Sequence, residues 1–208
     1  MELIKQKYEL LKNTKSDINE HLETLFDYAT NCESVLELGV RGCVSSYAFA
    51  YGLLNNNKSN KHLMMNDLTE CDIKQLLHYA KKTDLNIKYK WINDLELEVK
   101  HNYDLVFIDT YHIYGQLKRE LNKFASITNK YIIMHDTEVD KINGECLRNN
   151  WIPEQMAYIT GIPVEEHKLG LQKAIDEFLL NNPEWKIKKI YDNNNGLTIL
   201  QKGKENPF

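Results

Sequence analysis

Five short apolar or alternating runs, each closed by an acid and parted from the next by helical spacing, constrain this chain more than any other feature. They are 34–38 (SVLEL), 62–67 (HLMMND), 86–92, 103–109 (YDLVFID) and 130–134 (KYIIM), with His135-Asp136 following the last. Runs of five to seven apolar residues suit strands buried on both faces of a parallel sheet. Between them, 44–54, 71–82 and 114–126 carry helical spacing, as do 5–14 and 17–30 ahead of the first strand. Strands that alternate with helices build βαβ units, so the fold class is α/β with a mostly parallel sheet and helices on both faces.

The rhythm changes after residue 137. Residues 138–168 hold Gly144, Pro153, Gly161 and Pro163 and show little periodicity. A long aperiodic segment inside a compact domain usually carries function. A helix follows at 171–180. Then 185–191 (WKIKKIY) and 197–200 flank Asp192-Asn-Asn-Asn-Gly196, two β-rich runs around an Asn/Gly turn, which is a hairpin. A parallel sheet that ends in an antiparallel hairpin departs from ordinary dinucleotide-binding topology.

At 208 residues the chain is long enough for one domain with a sizeable core. The formal net charge of −4 spreads no basic field over the surface, which argues against a nucleic-acid partner. No apolar run reaches the ~20 residues of a membrane span, and the N-terminus mixes Lys and Glu through its apolar positions, unlike a leader. Cys32, Cys43, Cys71 and Cys146 show no metal spacing and read as reduced thiols of a cytoplasmic protein.

In an open parallel sheet, ligands sit at the carboxyl ends of the strands. Those ends carry Glu37 and Gly39-Val-Arg41-Gly42, then Asp67, Asn93-Asp94, Asp109 and His135-Asp136. Any one acid could simply cap the next helix. Gly39 and Gly42 fit unusual φ values and a close backbone approach, and a plain tight turn explains them equally. The spacing is not the G-x-G-x-x-G of a pyrophosphate site, and Glu37 would repel a pyrophosphate. Glu37 suits an ammonium group or hydroxyls, and Asp67 is placed to accept from ribose hydroxyls. A phosphate-free ribose ligand with an amino group points to S-adenosylmethionine (SAM) and away from NAD.

The segment Val35-Leu-Glu-Leu-Gly-Val-Arg-Gly-Cys-Val-Ser-Ser46 resembles motif I of class I SAM-dependent methyltransferases. Asp104-Leu-Val-Phe-Ile-Asp-Thr-Tyr-His112 and Ile132-Ile-Met-His-Asp136 resemble the branch holding the sugar (macrolide-type) O-methyltransferases, whose members show D-G-x-H after the fourth strand and an acid pair or H-D after the fifth. Ser16–His21 and Gly170–Phe178 look like the same branch. The likeness covers nearly the whole chain. It implies a Rossmann-like seven-stranded sheet with a C-terminal antiparallel hairpin, as one methyltransferase domain over 1–208. Residues 1–30 would be cover helices and 138–168 a substrate-side insert. Thr110 stands in place of the branch's Gly, and motif I is one residue shorter than usual.

The likeness further implies SAM held by Glu37, Gly39, Arg41, Ser45, Asp67, Asn93, Asp94 and Asp109. It implies a divalent metal, Mg2+ or Mn2+, on Asp109, His135 and Asp136. Imidazole suits magnesium poorly, so His135 means a softer metal, a substrate-facing role, or no metal. His112, with Asp109, would be catalytic: a neutral imidazole can take the proton of a sugar hydroxyl. The expected activity is O-methylation of a sugar or glycosylated small molecule. The partner is then a small-molecule or glycan acceptor, with no nucleic acid and no membrane, and self-association is compatible with the sequence. A SAM-binding module without turnover and an NAD-dependent oxidoreductase are the alternatives. His112 could instead cap the next helix. His21 reads as solvent-facing with a weak claim on the cofactor, and His62, His78, His101 and His167 read as surface residues. Trp151, Met156 and Tyr158 either wall the acceptor or pack the insert down.

Overall fold

Every residue of the strand Tyr103–Ile108 is buried, and it lies in the middle of a seven-stranded sheet. The structure, a computed structural model, describes residues 1–203. In chain order the strands are β1 (Ser34–Leu38), β2 (Lys61–Asp67), β3 (Leu85–Trp91), β4 (Tyr103–Ile108), β5 (Thr128–His135), β6 (Trp185–Tyr191) and β7 (Leu197–Lys202). Their order across the sheet is β3-β2-β1-β4-β5-β7-β6. β1 runs parallel to β2 and β4, whereas β7 runs antiparallel to β5 and β6. The parallel sheet with a C-terminal antiparallel hairpin is the architecture expected from the sequence. The order reverses direction at β1 and β4, so their carboxyl ends form the topological switch point where α/β sheets place ligands.

The helices are α1 (Glu2–Lys12), α2 (Leu22–Thr30), α3 (Val44–Leu54), α4 (Lys74–Ala80), α5 (Tyr114–Phe124), α6 (Glu145–Arg148), α7 (Pro153–Thr160), α8 (Val164–Lys168) and α9 (Leu171–Asn181). The second N-terminal helix starts later than its spacing suggests, because Asn19–His21 forms a 3₁₀ turn first. Residues 138–168 are not irregular throughout: α6, α7 and α8 are each too short for a helical period to register in the sequence. Among the described residues, no helix is long and apolar enough to cross a membrane, and all four cysteines are free and buried.

The chain divides into two compact units, Met1–Ile108 and the part from Asp109 onward. In the first unit the core lies between β1, β2, β4 and α3, a helix buried on nearly all sides. In the second, Leu117, Leu121 and Phe124 of α5 and Ala174, Ile175 and Phe178 of α9 supply apolar faces at helical spacing. A smaller core of Ile113, Cys146 and Ile162, with Tyr111 and Met156 against it, anchors the insert. At the sheet edge, β6 exposes Lys186, Lys188 and Lys189, charges that discourage pairing with another strand.

Candidate functional site

In the first unit, β1 delivers Glu37 fully buried, and both its oxygens are engaged by α3. Ser45 Oγ donates to Oε1 at 2.6 Å and Ser46 Oγ to Oε2 at 2.8 Å. Glu37 thereby ties the start of α3 to the strand before it. Asp67, at the end of β2, organises the turn between β1 and α3. Its Oδ2 accepts from the amides of Val40 (2.8 Å) and Arg41 (2.9 Å), and its Oδ1 from the amide and hydroxyl of Thr69. Burial alone would raise the Asp67 carboxyl, but these donors hold it below the usual carboxylate range.

Gly39 takes φ +88°, as expected of a glycine the turn requires. Gly42 does not: its φ is ordinary, and a Cβ there would meet nothing within 4 Å. The left-handed positions beside it fall to Arg41 (φ 43°) and Cys43 (φ 59°). The Arg41 guanidinium pairs with Asp17. Asn93 accepts from the amide of Leu95 at 2.9 Å and so caps the 3₁₀ turn Asp94–Glu96, in which Asp94 is buried. His21 is buried and not solvent-facing, because the 3₁₀ turn rotates it into the unit.

In the second unit one imidazole is ringed by carboxylates. His112 Nε2 lies 3.1 Å from Asp109 Oδ1, and its Nδ1 lies 2.9 Å from Asp136 Oδ2, 3.5 Å from Asp140 Oδ2 and 3.6 Å from Glu145 Oε2. The His112 amide also donates to Glu145 Oε2 at 3.2 Å. His135 faces the same group: its Nδ1 is 3.3 Å from Asp109 Oδ1 and 3.2 Å from Asp136 Oδ1. Its Nε2 lies 3.2 Å from the carbonyl of Asn194, in the hairpin turn between β6 and β7. Asp136 itself sits at φ +56°, a left-handed conformation that an acid adopts more readily than most residues and that is enriched at functional sites.

Desolvation would lower the His112 pKa, yet the bonds to Asp109, Asp136 and Asp140 raise it well above the ordinary imidazole value. His135 is raised too, by Asp109 and Asp136 working against its burial. Asp109 is held far below the usual carboxylate range: burial opposes this, and His135 and His112 prevail. Asp140, fully buried, receives Arg148 in a two-pronged pair, Nε to Oδ1 at 2.7 Å and Nη2 to Oδ2 at 2.8 Å. Four carboxylates thus face one guanidinium and two imidazoles.

The donor set fits a divalent cation. Asp109, His112 and Asp136 each offer one ligand atom, and these lie within 4.8 Å of one another. Asp136 Oδ1 is buried yet makes no hydrogen bond, which leaves an electron pair directed into the cluster. The sequence points to Asp109 and Asp136 as ligands, and the structure brings them together with both histidines. Asp140, Glu145 and Arg148 carry no motif. They come from the aperiodic segment and its short helix α6, and no pattern in the sequence marks them.

Thr110 keeps its side chain on its own scaffold, donating to Glu120, which Gln116 also bonds at 2.9 Å. His167 is fully buried and not a surface residue. Its Nδ1 meets Tyr111 Oη at 3.1 Å, and its Nε2 meets the Ile162 carbonyl at 3.2 Å. Trp151 packs near Tyr111 at a ring separation of 6.0 Å while staying 42% exposed, and Tyr158 is 92% exposed. Met156 packs against the small insert core.

No family model matches the sequence, and no curated protein matches it either. Solved structures do. A provisionally assigned caffeoyl-CoA O-methyltransferase from Staphylococcus aureus is 19% identical with a TM-score of 0.60, over 97% of this chain and 91% of its own. An O-methyltransferase from Bacillus cereus in complex with S-adenosylhomocysteine (SAH) is 13% identical with a TM-score of 0.56, over 97% and 89%. The N-methyltransferase NodS from Bradyrhizobium japonicum, also bound to SAH, is 12% identical with a TM-score of 0.57, over 95% and 97%. Strand order, hairpin and these likenesses agree: the chain has the Rossmann-like fold of methyltransferases.

Proposed function

We propose that this chain is a SAM-dependent O-methyltransferase whose acceptor hydroxyl, on a sugar or glycosylated small molecule, is activated beside a divalent metal. The observation that carries this reading is the meeting of Asp109, His112 and Asp136 at the ends of β4 and β5 in a methyltransferase fold. The fold by itself hosts both O- and N-methylation, so the acceptor atom is argued from the cluster.

The methyl carbon of SAM already carries a sulfonium leaving group. The slow partner is the hydroxyl, which is a poor nucleophile until its proton leaves. In the reaction the hydroxyl oxygen bonds to the methyl carbon, the carbon–sulfur bond breaks, and its electron pair stays on sulfur to give SAH. His112 would take the hydroxyl proton as general base once Asp109 or Asp136 turns from its ring nitrogen to hold a metal, because with both carboxylates in place the ring is raised and neither nitrogen is open to an acceptor. The carboxylate left on the other nitrogen would stabilise the imidazolium that results, as a carboxylate does in hydrolase triads. A metal held by Asp109 and Asp136 would supply Lewis acidity that lowers the hydroxyl pKa. Glu37 and Asp67 hold the turn around Gly39, where the SAM amino acid and ribose would bind.

Two measurements test the reading together. Calorimetry should show SAM and SAH binding and no NAD binding. Methyl transfer from labelled SAM, run across sugar, phenol and amine acceptors, should label a hydroxyl acceptor and fail with His112→Ala. Labelling of amines alone would overturn the O-methyl reading.

A further inference from the structure

Helix α7 is apolar on the side that faces solvent. At about 100° per residue, Pro153, Met156, Ala157 and Thr160 share one side of it, and this side packs inward. Met156 lies against the core of Ile113, Cys146 and Ile162, and Thr160 Oγ1 meets His167 Nε2 at 3.1 Å. The opposite side of a surface helix is ordinarily polar. Here it carries Ile152 at the N-cap, 51% exposed, with Tyr158 at 92% and Ile159 at 72%. Gln155 and Tyr158 run along the middle of this outer side, Ile152 and Ile159 along one flank and Glu154 along the other. Trp151, 42% exposed, adjoins the stripe in the chain. Gln155 breaks the stripe and carries no charge.

An exposed apolar patch of this kind marks an interface. With large side chains covering roughly 150–250 Å2 each, the exposed parts of Trp151, Ile152, Tyr158 and Ile159 come to about 500 Å2. Paired with itself, the stripe would bury about 1,000 Å2 in total, the least that a specific interface needs. We propose that the outer side of α7 is the surface through which two copies of this chain pair about a two-fold axis. In such a contact one patch meets its own copy, so groups near the axis must tolerate themselves. Gln155 and the Tyr158 hydroxyl do, because each both donates and accepts. A charge would not, and Glu154, the charge on this side, lies on the flank. Aromatic anchors with few charges among them are also the composition of an interface core. A lipid surface matches less well. Helices that lie on anionic membranes carry Lys and Arg on their polar edge, whereas Pro153–Thr160 has neither, and Glu165 and Glu166 follow in α8. The pairing rests on no part of the catalytic reading.

Sedimentation equilibrium on the full chain is the test. An interface of this size pairs in the micromolar range, so the range to cover is about 1–100 μM. The mass should rise with concentration from 24.5 kDa toward twice that value. Tyr158→Lys and Ile159→Lys each put a charge into the apolar contact, and each should weaken pairing by at least roughly tenfold. Both side chains lie mostly in solvent, so the variants should fold, which circular dichroism checks. Leu180→Lys, at an apolar position on α9 that is 84% exposed, should leave pairing unchanged. A wild-type mass that stays at 24.5 kDa, pairing that survives both α7 variants, or an equal loss in Leu180→Lys would overturn the proposal. Flotation with vesicles of phosphatidylcholine and phosphatidylglycerol tests the other occupant. Wild-type chain should stay out of the vesicle fraction; chain that floats with them and ceases to do so in Ile159→Lys would assign the stripe to lipid and overturn the proposal.

Discussion

Replacing Arg148 with Met tests how firmly the acidic cluster is built. Asp140 is fully buried and takes two short bonds from the Arg148 guanidinium, and Arg148→Met keeps most of the side-chain volume while removing both. Removing one partner of a buried ion pair costs ~3–5 kcal/mol. The Arg148 side chain is 39% exposed, however, so water already screens part of the pair. That discount brings the expected loss to about 2–3 kcal/mol, read as a fall of about 5–10 °C in Tm for a chain of this length. Urea unfolding at neutral pH is the assay. The double variant Asp140→Asn/Arg148→Met should recover most of the loss, since no buried charge is then left alone, and the cycle should give a coupling above about 1 kcal/mol. Acid provides a second check. Burial pushes the Asp140 carboxyl up, but His112 and Arg148 hold it below its usual value. A depressed carboxyl contributes stability that is present above the unfolded value near about 3.9 and lost as pH falls through the folded one. The gap between wild type and Arg148→Met should therefore close on acidification. A loss under about 0.5 kcal/mol, the size of a surface pair, would refute the reasoning.

Other consequences follow from the first unit and from the insert. Asp67→Asn weakens the acceptor that orders the Val40 and Arg41 amides, so calorimetry should show SAH affinity falling by roughly tenfold, one charge-assisted bond's worth. Gly42→Ala should leave stability within about 0.5 kcal/mol, whereas Gly39→Ala, forced to φ +88°, should cost about 1–2 kcal/mol in the same unfolding assay. His167 is buried, which lowers its pKa. A histidine with a depressed folded value contributes full stability above its unfolded value near about 6.5 and loses it as pH falls below that point. Wild type should therefore lose stability relative to His167→Gln between pH of about 6.5 and 5, measured by urea unfolding at each pH; a constant difference would contradict the assignment.

Much of the sheet is legible in the sequence because its strands carry local signals. Ser34–Leu38 and Tyr103–Ile108 are uninterrupted apolar runs, and Trp185–Tyr191 stands before an Asn/Gly turn that only a hairpin explains. The insert is harder. Helices of four, eight and five residues complete too few turns for periodicity to accumulate. Asp109, His112, His135 and Asp136 are legible because strand ends in parallel sheets face ligands. Asp140, Glu145 and Arg148 are not, since their roles arise from contacts across the fold. The burial of His21 and His167 is hidden for the same reason: a 3₁₀ turn and the small core around Ile162 decide it, and neither leaves a pattern in the chain. Gly42 shows the opposite error. Its position beside a sharp turn suggests a conformational need, but the turn places its left-handed residues at Arg41 and Cys43.

The central claim is that this fold and this cluster move a methyl group from SAM to oxygen. The most direct measurement is methyl transfer from SAM labelled in its methyl group, with the metal-loaded chain and a panel of sugar, glycoside, phenol and amine acceptors, and the linkage of each product assigned by mass spectrometry and NMR. The account predicts an O-methyl product, SAH in equal amount, and loss of both on His112→Ala or Asp109→Asn while SAH still binds. Undiminished transfer in those variants, or product methylated only on nitrogen, would contradict it.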